Sequence, residues 1–302
     1  MNVEMKRVLY IILILPILLG CTKVIEDIDI KQHSCNNVNG FDVCYPEYVN
    51  DNQKRIIENI LSNMVYVKGG IFKMGSEYDI IVDSSNDTHP EYYPRLNETP
   101  VRYVMLDDFY VSKYELSKEQ VEGLLKRDLT EVLNWSYYDW EGVVDLLKHY
   151  TNLNFDIPTE AQWEYVAKGG SKTKSYLYPG ANRLQDVRST SQDILSTKKP
   201  NELGIYNLAD HYSEWCKDCY IEYKTSSMLH NPFNQYGVGH VVRGGNYSSN
   251  MFYGAYDNVL SEDFSFATWY KEHRISRCTS RLFHDGSSQY VGCRLVINAK
   301  EI

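Results

Sequence analysis

The sequence is short of positive charge: 31 lysine and arginine residues stand against 40 aspartate and glutamate residues, a formal net charge of −9 over 302 residues. This balance repels polyanions, so nucleic acid is not an expected partner. The sequence also lacks a P-loop, a nucleophile elbow and a dinucleotide-binding fingerprint, which gives no support to the enzyme classes that need them. Its eight histidines have no metal-ligand spacing; isolated ones such as His211 and His240 are typical of structural or surface positions.

An apolar run long enough to span a bilayer comfortably is lacking as well. The run at residues 8–19 follows Lys6 and Arg7, which is typical of an export signal. It ends in a Leu-Leu-Gly-Cys motif that resembles the bacterial lipobox, in which the chain is cut before the cysteine and the thiol carries the lipid. We expect residues 1–20 to be a lipoprotein signal peptide and Cys21 to be a durable membrane anchor. A cleaved secretory signal with an incidental cysteine is the alternative.

The residues after Cys21 are polar. Glu26, Asp27 and Asp29 resemble the acidic tract that sends some lipoproteins to the cell surface, so we expect a protein lipid-anchored to the bacterial outer membrane and exposed at the surface. Residues 21–60 are interpreted as a tether that ends in a short docking helix.

Six cysteines remain once Cys21 is assigned to lipid. An even number in an exported chain favours disulfides, and Cys35 and Cys44 are close enough to close a small loop. For the other four we expect structural disulfides, with half of a zinc site or a redox motif as alternatives that lack a second CxxC. These four are Cys216, Cys219, Cys278 and Cys293.

Helices and strands are indicated by local signals. Ser117 with Gln120, and Thr159 with Gln162, form capping boxes that predict helix starts, and Ser136 precedes an apolar helical pattern. Short strands are predicted at residues 64–67, 71–74, 101–106, 110–112, 241–243 and 294–297. The tryptophans Trp135, Trp140, Trp163 and Trp215 are interpreted as core residues.

Five segments occur in a distinctive order: residues 64–76 (MVYVKGGIFKMGS), 157–170 (IPTEAQWEYVAKGG), 201–215 (NELGIYNLADHYSEW), 241–249 (VVRGGNYSS) and 291–297 (VGCRLVI). Together they resemble the formylglycine-generating enzyme, or sulfatase-modifying factor, family. The resemblance implies an α+β, C-type-lectin-like fold with little regular secondary structure over residues 61–298. Long stretches without periodicity, unusual in a compact domain, agree with it.

The resemblance also implies where copper would bind. Family enzymes hold Cu(I) with two cysteine thiolates after the Gly-Gly pair, soft ligands for a soft ion, and oxidise a substrate cysteine to formylglycine. Here those positions are Ser249 and Gly254, and the serine that usually follows the glycines is Asn246. We therefore expect no copper and no catalytic residue at these degenerate positions.

Calcium is a separate implication of the resemblance. Asn207, Asp210, Tyr212 and Glu214 fall where the family places a calcium site, with Asp210 in place of a glycine whose carbonyl is the ligand. Aspartate offers hard oxygens of its own; a metal-free hydrogen-bonded turn is the alternative. A second family site would use Asp186 and the carbonyl of Val187.

The region from residue 246 to 290 is rich in Tyr, Ser, Asn, Asp, Gly and Phe. Tyrosine gives contact area at little entropy cost while Ser and Asn give adaptable hydrogen bonds, so we predict ligand contacts at Tyr247, Phe252 and Tyr253. The same region carries ligand contacts in variable proteins of this fold. Ordinary core packing in a tyrosine-rich chain is the alternative.

These observations favour a membrane-anchored lipoprotein with a catalytically degenerate domain that acts as a binding or envelope-assembly module. Its expected ligand is a protein or a glycan at the envelope. The alternative is a formylglycine-generating-type oxidoreductase, or another protein-modifying enzyme, with a pocket rebuilt around Asn246, Ser249 and Arg294.

Overall fold

The computed structural model describes residues 35–76, 96–129, 134–188, 198–246 and 276–299. Within them the strands are β1 (Asn36–Val38), β2 (Phe41–Val43), β3 (Met64–Val67), β4 (Gly70–Met74), β5 (Arg102–Leu106), β6 (Phe109–Ser112), β7 (Phe155–Asp156), β8 (Ser213–Cys219), β9 (Leu229–His230), β10 (His240–Arg243), β11 (Arg281–His284), β12 (Val291–Gly292) and β13 (Val296–Asn298). The α-helices are α1 (Asp51–Ser62), α2 (Lys118–Leu125), α3 (Tyr137–Thr151), α4 (Glu160–Ala167) and α5 (Leu184–Val187). This mixture of short elements confirms the predicted α+β class. None of these helices is both long enough and apolar enough to cross a bilayer.

The N-terminal hairpin belongs to the domain core. A disulfide joins Cys35 and Cys44 around antiparallel β1 and β2, which confirms the predicted pair. Four side chains of residues 35–50 pack into the same apolar core as α1: Phe41, Val43, Tyr45 and Val49. The compact unit therefore begins at Cys35, and the tether is shorter than the predicted residues 21–60. The polar composition did not indicate this, because only a few side chains of the segment contact the core.

Local capping signals place the helices correctly. The Ser117 and Thr159 side chains accept hydrogen bonds from the backbone N–H groups of Gln120 and Gln162, and those glutamines bond back to the cap residues, so both predicted capping boxes start their helices. Ser136 precedes α3 as predicted. Helix α4 differs from the others because every one of its residues is buried. It lies in the middle of the domain.

Three small sheets surround α4. Their strand orders are β3-β6-β13-β7, β11-β10-β8-β12 and β4-β5-β9. The last strand, β13, lies between β6 and β7, where Val296 is opposite both Val111 and Asp156. Strand β8 pairs antiparallel with β10 and parallel with β12. The chain end thus closes onto early strands, and these contacts join segments far apart in sequence.

Two apolar clusters fill the space between the sheets. One packs α1, α2 and α3 around Trp140 and Trp215, and the other packs β4, β5 and α4 around Trp163. These three tryptophans are at most 2% exposed, while Trp135 is half-buried against the first cluster. The prediction that the four tryptophans are core residues is confirmed.

The prediction of disulfides among the four C-terminal cysteines is wrong. Cys216, Cys219, Cys278 and Cys293 are all free thiols. Cys293 lies in the first apolar cluster, whereas Cys216 and Cys278 lie in the second. The Sγ atoms of Cys219 and Cys278 donate to carbonyl oxygens of Gln235 and Ala167, at 3.4 and 3.3 Å. An even count of cysteines could not show this separation.

One buried carboxylate ties β8 to the start of α4. Asp218 accepts hydrogen bonds from the backbone N–H of Glu160, at 2.8 Å, and from that of Asn234, at 3.0 Å. Burial, followed by the nearby negative charge of Glu160, raises the pKa of Asp218 to about 7. The side chain therefore titrates near neutral pH although its position is internal.

We expect Asp218 to make stability pH-dependent. Its pKa in the folded chain exceeds the ~3.9 of an unfolded aspartate, so its contribution is complete at low pH and is lost as the pH rises through about 7. The free energy of unfolding, measured with urea and tryptophan fluorescence, should fall between about pH 4 and about pH 7 with a slope of at most ~1.4 kcal/mol per pH unit from this group.

The Asp218→Asn variant is the matched control. It should be less stable than the parent protein at low pH, because one backbone N–H loses its acceptor. It should also lack the part of the slope that Asp218 causes. A variant with the same slope as the parent protein would contradict the assignment.

Candidate functional site

The Gly244-Gly245 turn, directly after β10, packs closely against residues 207–214, the segment predicted to bind calcium. Gly244 has φ +80°, and a Cβ atom there would lie 2.8 Å from the carbonyl oxygen of Leu208. A Cβ atom on Gly245 would lie 2.1 Å from the carbonyl oxygen of Ala209. Only glycine permits this approach. The structure thus brings together two motifs that lie more than thirty residues apart in the sequence.

Asn246 is fully buried beside this turn and is bonded to the scaffold. Its Nδ2 donates to the Ser213 hydroxyl at 3.0 Å, and that hydroxyl donates to the Gly244 carbonyl at 2.9 Å. Arg188 donates to the Asn246 carbonyl and to the Ser276 hydroxyl, both at 3.0 Å. Asn246, one of the positions predicted to be degenerate, therefore belongs to a network of hydrogen bonds that holds the turn in place.

A buried charge network lies under the same turn. Arg243 donates to Glu160 at 3.0 Å and to Glu164 at 2.8 Å, and Arg281 donates to both Glu160 oxygens at 2.6 and 2.8 Å. Burial opposes ionisation of Glu160, but Arg281 and Arg243 lower its pKa to about 2. The Tyr223 hydroxyl, which is uncharged, accepts a hydrogen bond from Arg243 at 3.0 Å. The charges are matched inside the protein.

Glu214 forms a second buried ion pair. Arg294 donates from Nε and Nη2 to Glu214 at distances between 2.6 and 3.0 Å, and Trp163 Nε1 donates to the same carboxylate at 2.8 Å. Arg294 also donates to the carbonyl oxygens of Ser112 and Tyr206. Both oxygens of Glu214 and all three nitrogens of Arg294 are thus engaged.

A third carboxylate, Glu115, lies next to the predicted calcium ligand Asn207. Asn207 Nδ2 donates to Glu115 at 3.1 Å, and His211 Nδ1 lies 3.5 Å from the other Glu115 oxygen, an ion pair without an aligned hydrogen bond. Burial opposes charge on both groups, but His211 and Arg294 lower the pKa of Glu115, and Glu115 raises the pKa of His211. His211 is thus structural, as the sequence indicated.

Calcium binding by Asn207, Asp210, Tyr212 and Glu214 stays a prediction, and one of these ligands is already engaged in this arrangement. Calcium requires six to eight free oxygens, but the Glu214 carboxylate is held by Arg294 and Trp163. Asp210 is buried and Tyr212 half-buried in the same turn. No group of three or more His, Cys, Asp or Glu side chains in the described ranges is arranged to hold a metal ion.

The second predicted calcium pair lies close to the first. Asp186 and Val187 form the end of the short helix α5. Val187 packs in a small apolar cluster with Ala209, which is part of the first predicted segment. The structure therefore gathers both predicted sites at one place.

Several predicted residues lie outside the described ranges: Cys21, Tyr247, Ser249, Phe252, Tyr253 and Gly254. Other important residues were missed by the sequence analysis. Their roles depend on partners far along the chain, so neither the two that lie inside a quoted motif nor the three outside it could be assigned a role locally: Glu160 and Ser213, and Glu115, Arg188 and Ser276.

Known proteins share this domain. The chain is 25% identical to the serine/threonine-protein kinase pkn1 of Chlamydia pneumoniae over 63% of its own length, but the match spans only 34% of the kinase. It is 24% identical to the formylglycine-generating enzyme of Thermomonospora curvata, over 57% of this chain and 77% of that enzyme. Similar sequences thus occur both in a protein described as a kinase and in one described as a formylglycine-generating enzyme.

A solved structure and a family model match the chain as well. The solved structure of Treponema denticola variable protein 1 superposes with a TM-score of 0.55 and 17% identity, over 78% of this chain and 95% of that chain. The family model of the sulfatase-modifying factor enzyme 1-like domain matches residues 131–299, more than half of the sequence. The chain therefore belongs to the sulfatase-modifying factor enzyme 1-like domain family.

Proposed function

We propose that this chain is a bacterial envelope lipoprotein whose sulfatase-modifying-factor domain binds a partner and does not perform copper-dependent oxidation. The observation that carries the proposal is that the described side chains around the Gly-Gly turn are bonded to one another. Asn246 is held by Ser213, and Glu214 is held by Arg294. A turn supported in this way can present the residues that follow it without taking part in chemistry.

The cysteines support the same conclusion. The two positions that hold copper in family enzymes are Ser249 and Gly254 here, and a serine hydroxyl is a poor ligand for Cu(I). Burial raises the pKa of Cys216, Cys278 and Cys293, which favours the neutral thiol over the thiolate that binds metal.

The rival enzymatic function requires a pocket rebuilt around Asn246, Ser249 and Arg294. Asn246 is fully buried, and the guanidinium of Arg294 is saturated by Glu214 and two backbone carbonyls. Of the three, only Ser249 is left to supply chemistry. A serine hydroxyl needs an adjacent general base to act as a nucleophile, and neither Asn246 nor the engaged Arg294 can serve as one, which favours binding over catalysis.

The expected location and partner follow from the sequence. A lipid on Cys21 places the domain at the membrane, and the tyrosine-rich segment after the Gly-Gly turn offers Tyr247, Phe252 and Tyr253 to a protein or a glycan at the outer membrane or cell surface.

The first prediction concerns copper. Anaerobic titration of the soluble domain with Cu(I), followed by incubation with O2 and a Cys-x-Pro-x-Arg peptide, should give no stoichiometric copper complex and no formylglycine. The double variant Ser249→Cys with Gly254→Cys is a gain-of-ligand control that should bind Cu(I) more tightly. Tight copper binding with peptide oxidation by the parent protein would refute the binding-module proposal.

The second prediction concerns the partner. Replacing Tyr247, Phe252 and Tyr253 by alanine should abolish the crosslinks that the full-length protein forms on intact cells, with no change in the melting temperature. Tyr138→Ala is the matched control, since Tyr138 is an exposed aromatic residue of α3. Identical crosslinked species from the triple variant would remove these residues from the interface.

The third prediction concerns calcium, which remains an inference from the family. Because Arg294 already neutralises Glu214, we expect the melting temperature in calcium and in chelator to be the same. A ligand that binds only the folded chain must raise the melting temperature. A drop above ~3 °C on chelation, about 1 kcal/mol for a domain of this size, would show that calcium binds despite this ion pair.

A further inference from the structure

A polar groove of about 840 Å³ lies away from the residues of the candidate site. Its walls come from the β5–β6 turn, the segment between α3 and β7, the start of α4 and the end of β13. The volume is within the ~300–1,000 Å³ of small-molecule sites in proteins. None of the residues in the copper, calcium or aromatic predictions lines it.

The groove floor is held rigid by hydrogen bonds between its own side chains. Gln162 Nε2 donates to Asn298 Oδ1 at 2.7 Å, and Lys217 donates to Asp156 at 2.6 Å. On the opposite wall, Asn231 donates to Asp107 at 2.6 Å. These groups are pre-organised, so a ligand would not need to order them on binding.

Three amides in the groove have hydrogen-bonding capacity left. Among the described residues, the side chains of Asn152 and Asn154 have no hydrogen-bond partner, and Asn298 uses only its oxygen. Each free amide offers donors, and the first two also offer an acceptor. Phe233 adds an aromatic ring that is 40% exposed, with the ammonium of Lys217 5.0 Å from its centroid.

The charged side chains that line the groove limit which class of ligand it can bind. Three aspartates and two lysines line it, and Lys217 is neutralised by Asp156, so a phosphate or another polyanion has no cluster of free cations to meet. An extended peptide would need a sheet edge to pair with, but the strand β7 at the rim has only two residues. Neutral hydroxyl groups match both the free amides and the low net charge of the groove.

We propose that this groove binds a neutral polyhydroxylated ligand, a short saccharide, with Asn152, Asn154 and Asn298 bonding its hydroxyl groups and Phe233 packing against its C–H face. Amide groups can donate to one hydroxyl and accept from the next, and an aromatic ring contributes an apolar surface beside them. This site is independent of the partner-binding segment at Tyr247, Phe252 and Tyr253.

The test uses isothermal titration of the soluble domain with named sugars. Maltotetraose, cellotetraose and chitotetraose probe a glycan chain; glucose and N-acetylglucosamine probe a free monosaccharide; tetraglycine probes a peptide. We expect at least one sugar to bind with a Kd on the order of 1 mM or tighter. Tetramer binding without monomer binding would assign the groove to a glycan chain, and equal binding would assign it to a free sugar.

Variants on the groove wall locate the binding. Phe233→Ala and Asn154→Ala should each weaken it about tenfold, which corresponds to ~1.4 kcal/mol for one lost contact. Tyr138→Ala, an exposed aromatic residue outside the groove, should leave it unchanged, as should the triple variant at Tyr247, Phe252 and Tyr253. Binding that neither groove variant weakens, binding of tetraglycine alone, or no binding of any sugar at about 10 mM would overturn the proposal.

Discussion

Arg243 and Arg281 lie directly opposite each other on β10 and β11, and two like charges in this position repel. Glu160 lies between them and accepts from both. Because Glu160 is the first residue of the buried helix α4, this contact fixes the helix against the sheet. Removing one partner of a buried ion pair leaves an uncompensated charge that costs about 3–5 kcal/mol. The arrangement of the domain centre thus depends on one carboxylate.

The same network determines what the Gly-Gly turn can do. Arg243 is the last residue before Gly244, so the ion pairs that hold it also set where the turn begins. Ser213, Asn246 and Arg188 then hold the turn from the other side. In an enzyme, such a support would place reactive side chains; here the described polar groups bond to each other. The scaffold is therefore compatible with the proposed binding role, since one fold can carry unrelated functions.

The two proposed binding sites differ in their chemistry. The segment after the turn is rich in tyrosine, which suits a large and flat contact. The groove between α3, α4 and β13 has free amides and little net charge, which suits a small polar ligand. In the proposed lipoprotein, the domain can contact a partner and a saccharide at the same time, since the two sets of residues do not overlap.

The helices, the disulfide and several strands could be predicted from the sequence, because each depends on neighbours along the chain. The capping boxes at Ser117 and Thr159 and the short Cys35–Cys44 loop are local signals. The strand β8 and the core role of residues 35–50 were missed, since β8 is buried on nearly all positions and has no alternation, and the hairpin offers few apolar residues.

The amino-acid sequence by itself indicated the family, through five ordered motifs, and it predicts the loss of the copper-binding cysteines, because both inferences need only residue identity at a given spacing. Only the tertiary structure decided that Glu214 pairs with Arg294, that Glu160 pairs with two arginines, and that the C-terminal cysteines stay unpaired. These contacts join residues 80 or more positions apart. Their geometry arises from how the sheets pack, which no local pattern encodes.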